Sequence, residues 1–291
     1  MRPALNLSCL CILLSSCAMF EPKNITFGAI ADCQYSDQAD RGVRKYSTAH
    51  IKLKESVDHF NQQDLDFVIQ LGDLIDKNFK SFDTVLPIYD QLKAPRYQVL
   101  GNHDYDVEDS LKKDVPAKMG MHSNYYEFEQ GEWRFIVLDG NEFAFHTYPT
   151  GSKEYQASEK YYIDNNIALP KWNGAIGKEQ MQWLNNKLQD AQTNKQKVII
   201  FCHYPVYPAD PHNLWNSSEL VTLIEQYPCV KAYLNGHNHK GKYGEKNGVH
   251  YLTLKGMLDT SQNSYAIVKI HQYNIEIKGF GREENRLLPI K

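Results

Sequence analysis

Six short apolar runs recur along the chain, at Ile25–Ala31, Phe67–Leu71, Tyr97–Leu100, Phe135–Leu138, Val198–Cys202 and Val230–Leu234. Their length and unbroken apolar character predict strands buried on both faces. Between them the period changes. Leu53, Val57 and Phe60 fall at i, i+4, i+7, and Met181, Leu184 and Leu188 at i, i+3, i+7, spacings that line up on one face of a helix. Alternating strand and helix periods predict a layered α/β fold. Beyond Gly248 the helical spacing stops, and Val249–Leu254, Ser264–Ile270 and Asn274–Phe280 predict an antiparallel second sheet. Residues 141–174 form an aromatic and polar stretch without clear periodicity, and a connection of that length in a compact domain is usually functional or mobile. No repeat or linker-like tract divides the chain, so one domain over 25–291 is expected.

Composition narrows the function classes. At 291 residues, 42% hydrophobic and 23% charged, the chain is long enough to bury a substantial core. Its 32 Lys+Arg against 35 Asp+Glu leave a net charge of −3, and no basic block exists to grip duplex nucleic acid. Six cysteines are too sparse for a disulfide scaffold, and no CxxC pair suggests structural zinc. Three of them, Cys9, Cys11 and Cys17, sit in an opening segment with one cation at Arg2 and an apolar run at Leu10–Leu14. That reads as a secretory signal, since a spanning helix needs ~20 apolar residues. Leu14-Ser15-Ser16-Cys17 resembles the bacterial lipobox. The resemblance implies a lipoprotein-type signal peptide over 1–16, lipidation of Cys17, a short tether over 17–24, and export to the periplasm or cell envelope with membrane contact only through the lipid. A plain cleaved signal, or a buried amino-terminal segment with an incidental cysteine, is the alternative.

The chemistry sits where the strands end. Asp32-Cys33-Gln34 follows the first, Gly72-Asp73-Leu74-Ile75-Asp76 the second and Gly101-Asn102-His103-Asp104 the third; Cys202-His203-Tyr204-Pro205 and Gly236-His237-Asn238-His239 follow the fifth and sixth. Singly, each Asp, Asn or His reads as a cap, a turn former or a surface residue. Jointly they do not, because ligands in open α/β sheets bind beyond the carboxyl ends of strands, where such loops converge.

These five blocks resemble those of the calcineurin-like metallophosphoesterases, Asp-x-His/Gln, Gly-Asp-x-x-Asp, Gly-Asn-His-Asp/Glu, His and Gly-His-x-His. Within that superfamily, Ala31-Asp32-Cys33-Gln34-Tyr35, Asn173 to Gln180 and Gly248 to Leu254 are similar to the manganese-dependent ADP-ribose/CDP-alcohol diphosphatases. The resemblance implies a four-layer α/β/β/α sandwich with mixed sheets and two divalent metal ions. One would take Asp32, Gln34, Asp73 and His239, the other Asp73, Asn102, His203 and His237, with Asp73 bridging through both carboxylate oxygens. Mixed oxygen and imidazole donors suit Mn²⁺, Fe²⁺ or Zn²⁺, and the amide oxygen of Gln34 shifts the preference toward Mn²⁺ or Mg²⁺; Mn²⁺ is expected. The implied reaction is in-line attack of a metal-bridging hydroxide on the diphosphate of a small nucleoside diphosphate-X substrate, with His103 facing the scissile phosphate and Asp76 orienting it. Other readings are a cyclic-nucleotide or lipid-linked pyrophosphate specificity on the same scaffold, and a silent surface binding protein.

Further candidates are less specific. Tyr35 and Tyr105 flank ligand-bearing turns where a nucleobase can stack, with packing as the alternative. Arg44, beside Arg41 and Lys45, is placed to meet the second phosphate unless this is a solvated loop. Trp172 and Asn173 are candidates for the leaving-group side, and Lys240–Tyr243 reads as a turn bordering substrate. Cys33 and Cys202, next to ligands on strand ends, should point away into packing, and Cys229 reads as core.

Overall fold

The computed structural model describes residues 24–290; the expected signal peptide, Cys17 and the tether up to Lys23 lie outside them. The amino-terminal half runs β1 (Ile25–Ile30), α1 (Tyr46–Phe60), β2 (Phe67–Gln70), α2 (Phe82–Tyr89), β3 (Arg96–Gln98), α3 (Val115–Lys118), β4 (Tyr126–Gln130) and β5 (Trp133–Val137). Then come β6 (Phe143–Ala144), α4 (Lys153–Asp164), β7 (Gly174–Ala175), α5 (Lys178–Thr193), β8 (Lys197–Phe201), α6 (Ser217–Ile224) and β9 (Val230–Asn235). The chain closes with β10 (Lys242–Lys246), β11 (Val249–Thr253), β12 (Ser264–Ile270), β13 (Asn274–Gly281) and β14 (Arg286–Pro289).

Two six-stranded sheets result, ordered β14-β13-β12-β1-β2-β3 and β10-β11-β9-β8-β5-β4, with β6-β7 as a separate pair. Strands β1, β2 and β3 are parallel, as are β11, β9, β8 and β5. The uninterrupted apolar runs belong to this parallel set, because both of their faces are covered. Phe27, Phe67, Phe135, Phe201 and Leu234 fill the space between the sheets. Phe27 stacks on Phe67 at 4.6 Å between ring centroids, and Phe135 meets Phe67 edge-on at 4.9 Å. Each such side chain contributes about 1.5–3 kcal/mol through burial. Leu53, Val57 and Phe60 seat α1 with α2 on the outer face of the first sheet, while Met181, Leu184 and Leu188 seat α5 on the outer face of the second. The expected four-layer α/β/β/α sandwich with mixed sheets is the observed architecture.

Two expectations change. The strands after Gly248 do not form a sheet of their own. β11 joins the second sheet parallel to β9, and β12–β14 extend the first sheet through the antiparallel β1–β12 pairing. The 141–174 stretch is not structureless either: it holds β6, α4 and the start of β7. Ser152 caps α4 by accepting the Tyr155 N–H at 3.1 Å, but Ser158 is its only buried residue, so no apolar stripe marks it. Lys242 and Tyr243, expected in a turn, open the edge strand β10. Among the described residues, no helix is long and apolar enough to cross a membrane.

Candidate metal centre

The carboxyl ends of β1, β2, β3, β8 and β9 meet at one edge of the sandwich, and backbone bonds lock their loops together. The Asp32 N–H donates to Gly72 O (3.2 Å), Gln34 N–H to Asp73 O (2.9 Å), and Gly236 N–H to His203 O (3.0 Å). All seven expected ligands arrive there: Asp32, Gln34, Asp73, Asn102, His203 and His237 are buried, and the side chain of His239 is 12% exposed. Four of them, Asp32, Gln34, Asp73 and His237, hold φ between +46° and +69°. A left-handed residue other than glycine costs about 1–2 kcal/mol. Concentrating four in one site is the mark of a backbone bent to aim side chains.

Asp73 stands at the middle. Its Oδ2 lies 2.8 Å from Gln34 Nε2 on one side and 3.2 Å from His203 Nε2 on the other, while Oδ1 accepts the His103 N–H at 2.8 Å. Both halves of the site therefore meet at the Asp73 carboxylate, the residue expected to bridge them. Around His203 Nε2 converge Asn102 Oδ1 (3.2 Å), His237 Nδ1 (3.1 Å) and Asp73 Oδ2. Asp73, His203 and His237 bring ligand atoms within 4.8 Å of one another. On the other side, Asp32 Oδ1 lies 3.6 Å from His239 Nε2, and both Asp32 oxygens accept the His237 N–H at 3.1 Å.

Each imidazole is fixed from behind. His203 Nδ1 bonds Leu71 O (2.8 Å), His237 Nε2 bonds Asn173 Oδ1 (2.9 Å), and His239 Nδ1 meets Asp259 Oδ1 (3.0 Å). Such bonds set the tautomer and leave the opposite nitrogen free for a metal. Asp259 and this use of Asn173 escaped the sequence. Asn173, expected at the substrate, is fully buried, bonded to His237 and Pro211, and so acts as a positioning residue. Asp104 is another hidden organiser. Its carboxylate accepts the N–H groups of Asp73 (3.0 Å), Leu74 (2.8 Å), Ile75 (3.3 Å) and Gly101 (2.9 Å), tying the second and third loops together. A Cβ on Gly101 would sit 2.1 Å from Asp73 Oδ1, and one on Gly72 2.3 Å from His203 Nδ1, so both positions require glycine.

The electrostatics follow from burying so many ionisable groups together. Burial alone pushes the Asp73 carboxyl up, but His203 and His103 outweigh it and hold the group well below the usual carboxylate range. Burial lowers His203, yet Asp73 lifts it to about 9. Burial, reinforced by His203, keeps His237 well below its usual value. Asp32 is raised by burial against the pull of His239. A set of lone pairs this crowded holds protons that a cation displaces on binding. The fit to a metal is direct: Gln34 Oε1 is buried without any hydrogen-bond partner, an orphan that ordinarily costs about 1–3 kcal/mol and that a cation would satisfy. Oxygen and imidazole donors together form a borderline-hard set.

His103 lies outside this ligand set. Its Nδ1 is 2.5 Å from Asp76 Oδ1, an ion pair at an angle too bent for a good hydrogen bond, and its ring is 23% exposed toward a cleft of about 270 Å³. Burial lowers its pKa, while Asp73 and Asp76 raise it to about 9. The cleft is lined by Asn102, His103, His146, Lys112, Lys171 and Trp172, among others. Tyr105 borders it but is only 2% exposed and packs into the core beneath, which leaves little ring face for a base. Trp172 is 48% exposed at the rim. Tyr35 packs edge-on against His50 at 5.4 Å. Arg44 pairs by backbone with Asp259, donates to Tyr46 Oη at 3.4 Å, and places its charge near both Asp76 and Asp259. Cys33 and Cys202 are buried, with thiols pushed up by burial to about 12 and about 11, and take no part.

Comparison with known proteins agrees with this geometry. A family model described as calcineurin-like phosphoesterase matches residues 25–241. The manganese-dependent ADP-ribose/CDP-alcohol diphosphatase of Oryza sativa subsp. japonica is 32% identical over 282 residues, covering 85% of this chain and 88% of the relative. The mouse protein of the same description is 29% identical over 317 residues, 91% of this chain and 93% of its own. A crystal structure of a dimetal phosphatase from Danio rerio superposes with a TM-score of 0.82 at 25% identity, covering 92% of this chain and 99% of the other.

Proposed function

The chain belongs to the calcineurin-like phosphoesterase family, a metal-dependent phosphohydrolase, and from that premise we propose that it cleaves the diphosphate bond of ADP-ribose, CDP-alcohols or related nucleoside diphosphate-X compounds at a two-manganese centre. The observation that carries the reading is the buried, partnerless Oε1 of Gln34, whose Nε2 donates to Asp73 Oδ2. An amide oxygen, in the block where Asp-x-His is the other form, hardens one half of the centre toward Mn²⁺, and the relatives that match nearly the whole chain are named manganese-dependent diphosphatases.

Asp32, Gln34, Asp73 and His239 would hold one ion, and Asp73, Asn102, His203 and His237 the other. Two divalent ions there would supply Lewis-acid charge and an activated water. The chain does the rest. Leu71 O, Asn173 and Asp259 keep three imidazoles in register. His103, charged by its acidic neighbours and aimed into the cleft, is placed to stabilise a phosphoryl oxygen and give its proton to the leaving one, while Asp76 fixes its ring. Lys171 adds positive potential along the cleft that a diphosphate would occupy.

Chelated protein reloaded with Mn²⁺ is to be assayed on ADP-ribose, CDP-choline, UDP-glucose, a 2′,3′-cyclic nucleotide and p-nitrophenyl phosphate. The highest kcat/KM on ADP-ribose or CDP-choline is expected, and a tenfold preference for the cyclic nucleotide or the monoester would overturn the assignment. Export with a lipid on Cys17 is part of the proposal, and mass spectrometry of the mature amino terminus tests it: an intact, unmodified Met1 contradicts it.

A further inference from the structure

His146 is the one histidine of the cleft that neither the metal centre nor the proton transfer uses, and its tautomer can be derived. The Asn141 Nδ2 group donates to Leu100 O (3.0 Å) and to Asp139 Oδ1 (2.9 Å), which occupies both amide hydrogens and turns Oδ1 the other way. That Oδ1 lies 2.7 Å from Tyr204 Oη, which donates to it, and 2.9 Å from His146 Nε2. The Nε2 atom also lies 3.1 Å from Tyr204 Oη, whose only hydrogen is already spent. With a carbonyl-type oxygen in front of it, Nε2 carries the proton. A neutral ring protonated at Nε2 has its lone pair on Nδ1. Burial holds the ring neutral, pulling its pKa down to about 3. No described residue hydrogen-bonds this Nδ1, and the ring lines the cleft beside Asn102 and His103.

We propose that His146 Nδ1 accepts a hydrogen bond from a hydroxyl on the non-nucleotide moiety of the substrate, making it a specificity-determining residue that favours sugar-type over choline-type leaving groups. The neighbourhood suits a polyol: Lys171 supplies a donor, Asp106 an acceptor, and Trp172 and Phe145 apolar walls. An esterified choline has no hydroxyl to donate, so Nδ1 would stay unpaired where that substrate covers it and shuts out water, and an acceptor so covered is the source of discrimination. The inference rests on the diphosphatase reading.

The test uses the full chain with Mn²⁺, comparing kcat/KM for ADP-ribose with that for CDP-choline. His146→Phe is expected to lower the ADP-ribose to CDP-choline ratio about tenfold, chiefly through KM for ADP-ribose. His146→Asn, which keeps an acceptor near the δ position, should recover part of it. A ratio unmoved by His146→Phe overturns the proposal, whatever happens to overall activity. Should the wild type cleave neither diphosphate, the functional reading fails on its own, and ¹⁵N NMR of histidine-labelled protein decides the present point. A protonated Nε2 and a ribose 5-phosphate-dependent shift of the His146 Nδ1 resonance support it; a protonated Nδ1, or no shift, overturns it.

Discussion

Two carboxylate–histidine pairs flank the centre, and they should fail in opposite ways. Asp259 holds His239 Nδ1 at 3.0 Å, leaving Nε2 to face the Asp32 half of the site; Asp76 holds His103, whose ring lies outside the ligand set. Burial works against the Asp259 charge, but the bond to His239 outweighs it and keeps the carboxyl below its usual range, so the pair is an ionised anchor. Removing an outer partner of a metal-ligating histidine typically weakens metal binding 10- to 100-fold, about 1.4–2.7 kcal/mol. Asp259→Ala should therefore raise the Mn²⁺ dissociation constant by that factor, and Asp259→Asn, which retains an acceptor oxygen, by roughly tenfold or less. Asp76→Ala should change Mn²⁺ affinity less than about twofold and instead lower kcat at saturating Mn²⁺ by roughly 10- to 100-fold, a fraction of what a general acid contributes. Titration of chelator-treated proteins with Mn²⁺, followed by electron paramagnetic resonance of the free ion, measures the first quantity, and steady-state kinetics the second. If Asp76→Ala weakens Mn²⁺ binding as much as Asp259→Ala does, His103 is a ligand and the division of labour is wrong.

Three further outcomes follow from named contacts. Gly101→Ala places a methyl 2.1 Å from Asp73 Oδ1 and should cost about 1–3 kcal/mol, read as a fall in Tm of several degrees together with weaker metal binding; an unchanged Tm contradicts the close approach. Asn173→Ala should weaken Mn²⁺ binding roughly tenfold, with KM unchanged at saturating metal, because its amide supports His237 rather than substrate. Lys52 is buried under the 257–260 loop, donating to the carbonyls of Met257, Leu258 and Thr260, and burial lowers its pKa to about 8. The unfolded chain binds this proton more tightly, so the linked destabilisation is complete below pH 8 and is relieved as pH rises toward ~10.4. Urea midpoints at pH 7.5 and 9.5 should show wild type gaining on Lys52→Met at the higher pH; a loss contradicts the shift.

What the sequence revealed and what it concealed have a common cause. The convergence of candidate ligands at the ends of β1, β2, β3, β8 and β9 is legible because apolar runs locate parallel strands and the residues just beyond them share an edge. Asp259 was missed by the same rule. It follows β11 within the Gly256-Met257-Leu258-Asp259 turn, and the pattern after Gly248 predicts an antiparallel strand there, whose end would not face the site, whereas β11 runs parallel to β9. Asp104 lay inside a recognised block without a role, because its four backbone partners come from loops 30 residues apart in sequence. The edge strands β4, β10 and β14 went unseen for a different reason: segments such as Tyr126–Gln130 and Lys242–Lys246 are rich in charge, which protects a sheet edge and erases the apolar signal. His146 is invisible at sequence level, since its tautomer depends on Leu100, Asp139 and Tyr204 meeting around Asn141.

The claim beneath all of this is that the Asp73 carboxylate serves two half-sites, Asp32/Gln34/His239 and Asn102/His203/His237. Counting tightly bound Mn²⁺ per chain by equilibrium dialysis and elemental analysis tests it most directly. Two equivalents are predicted for the wild type, one for His239→Ala or His203→Ala, and none retained by Asp73→Ala under the same dialysis. A single equivalent in the wild type, or two surviving the loss of Asp73, would contradict it.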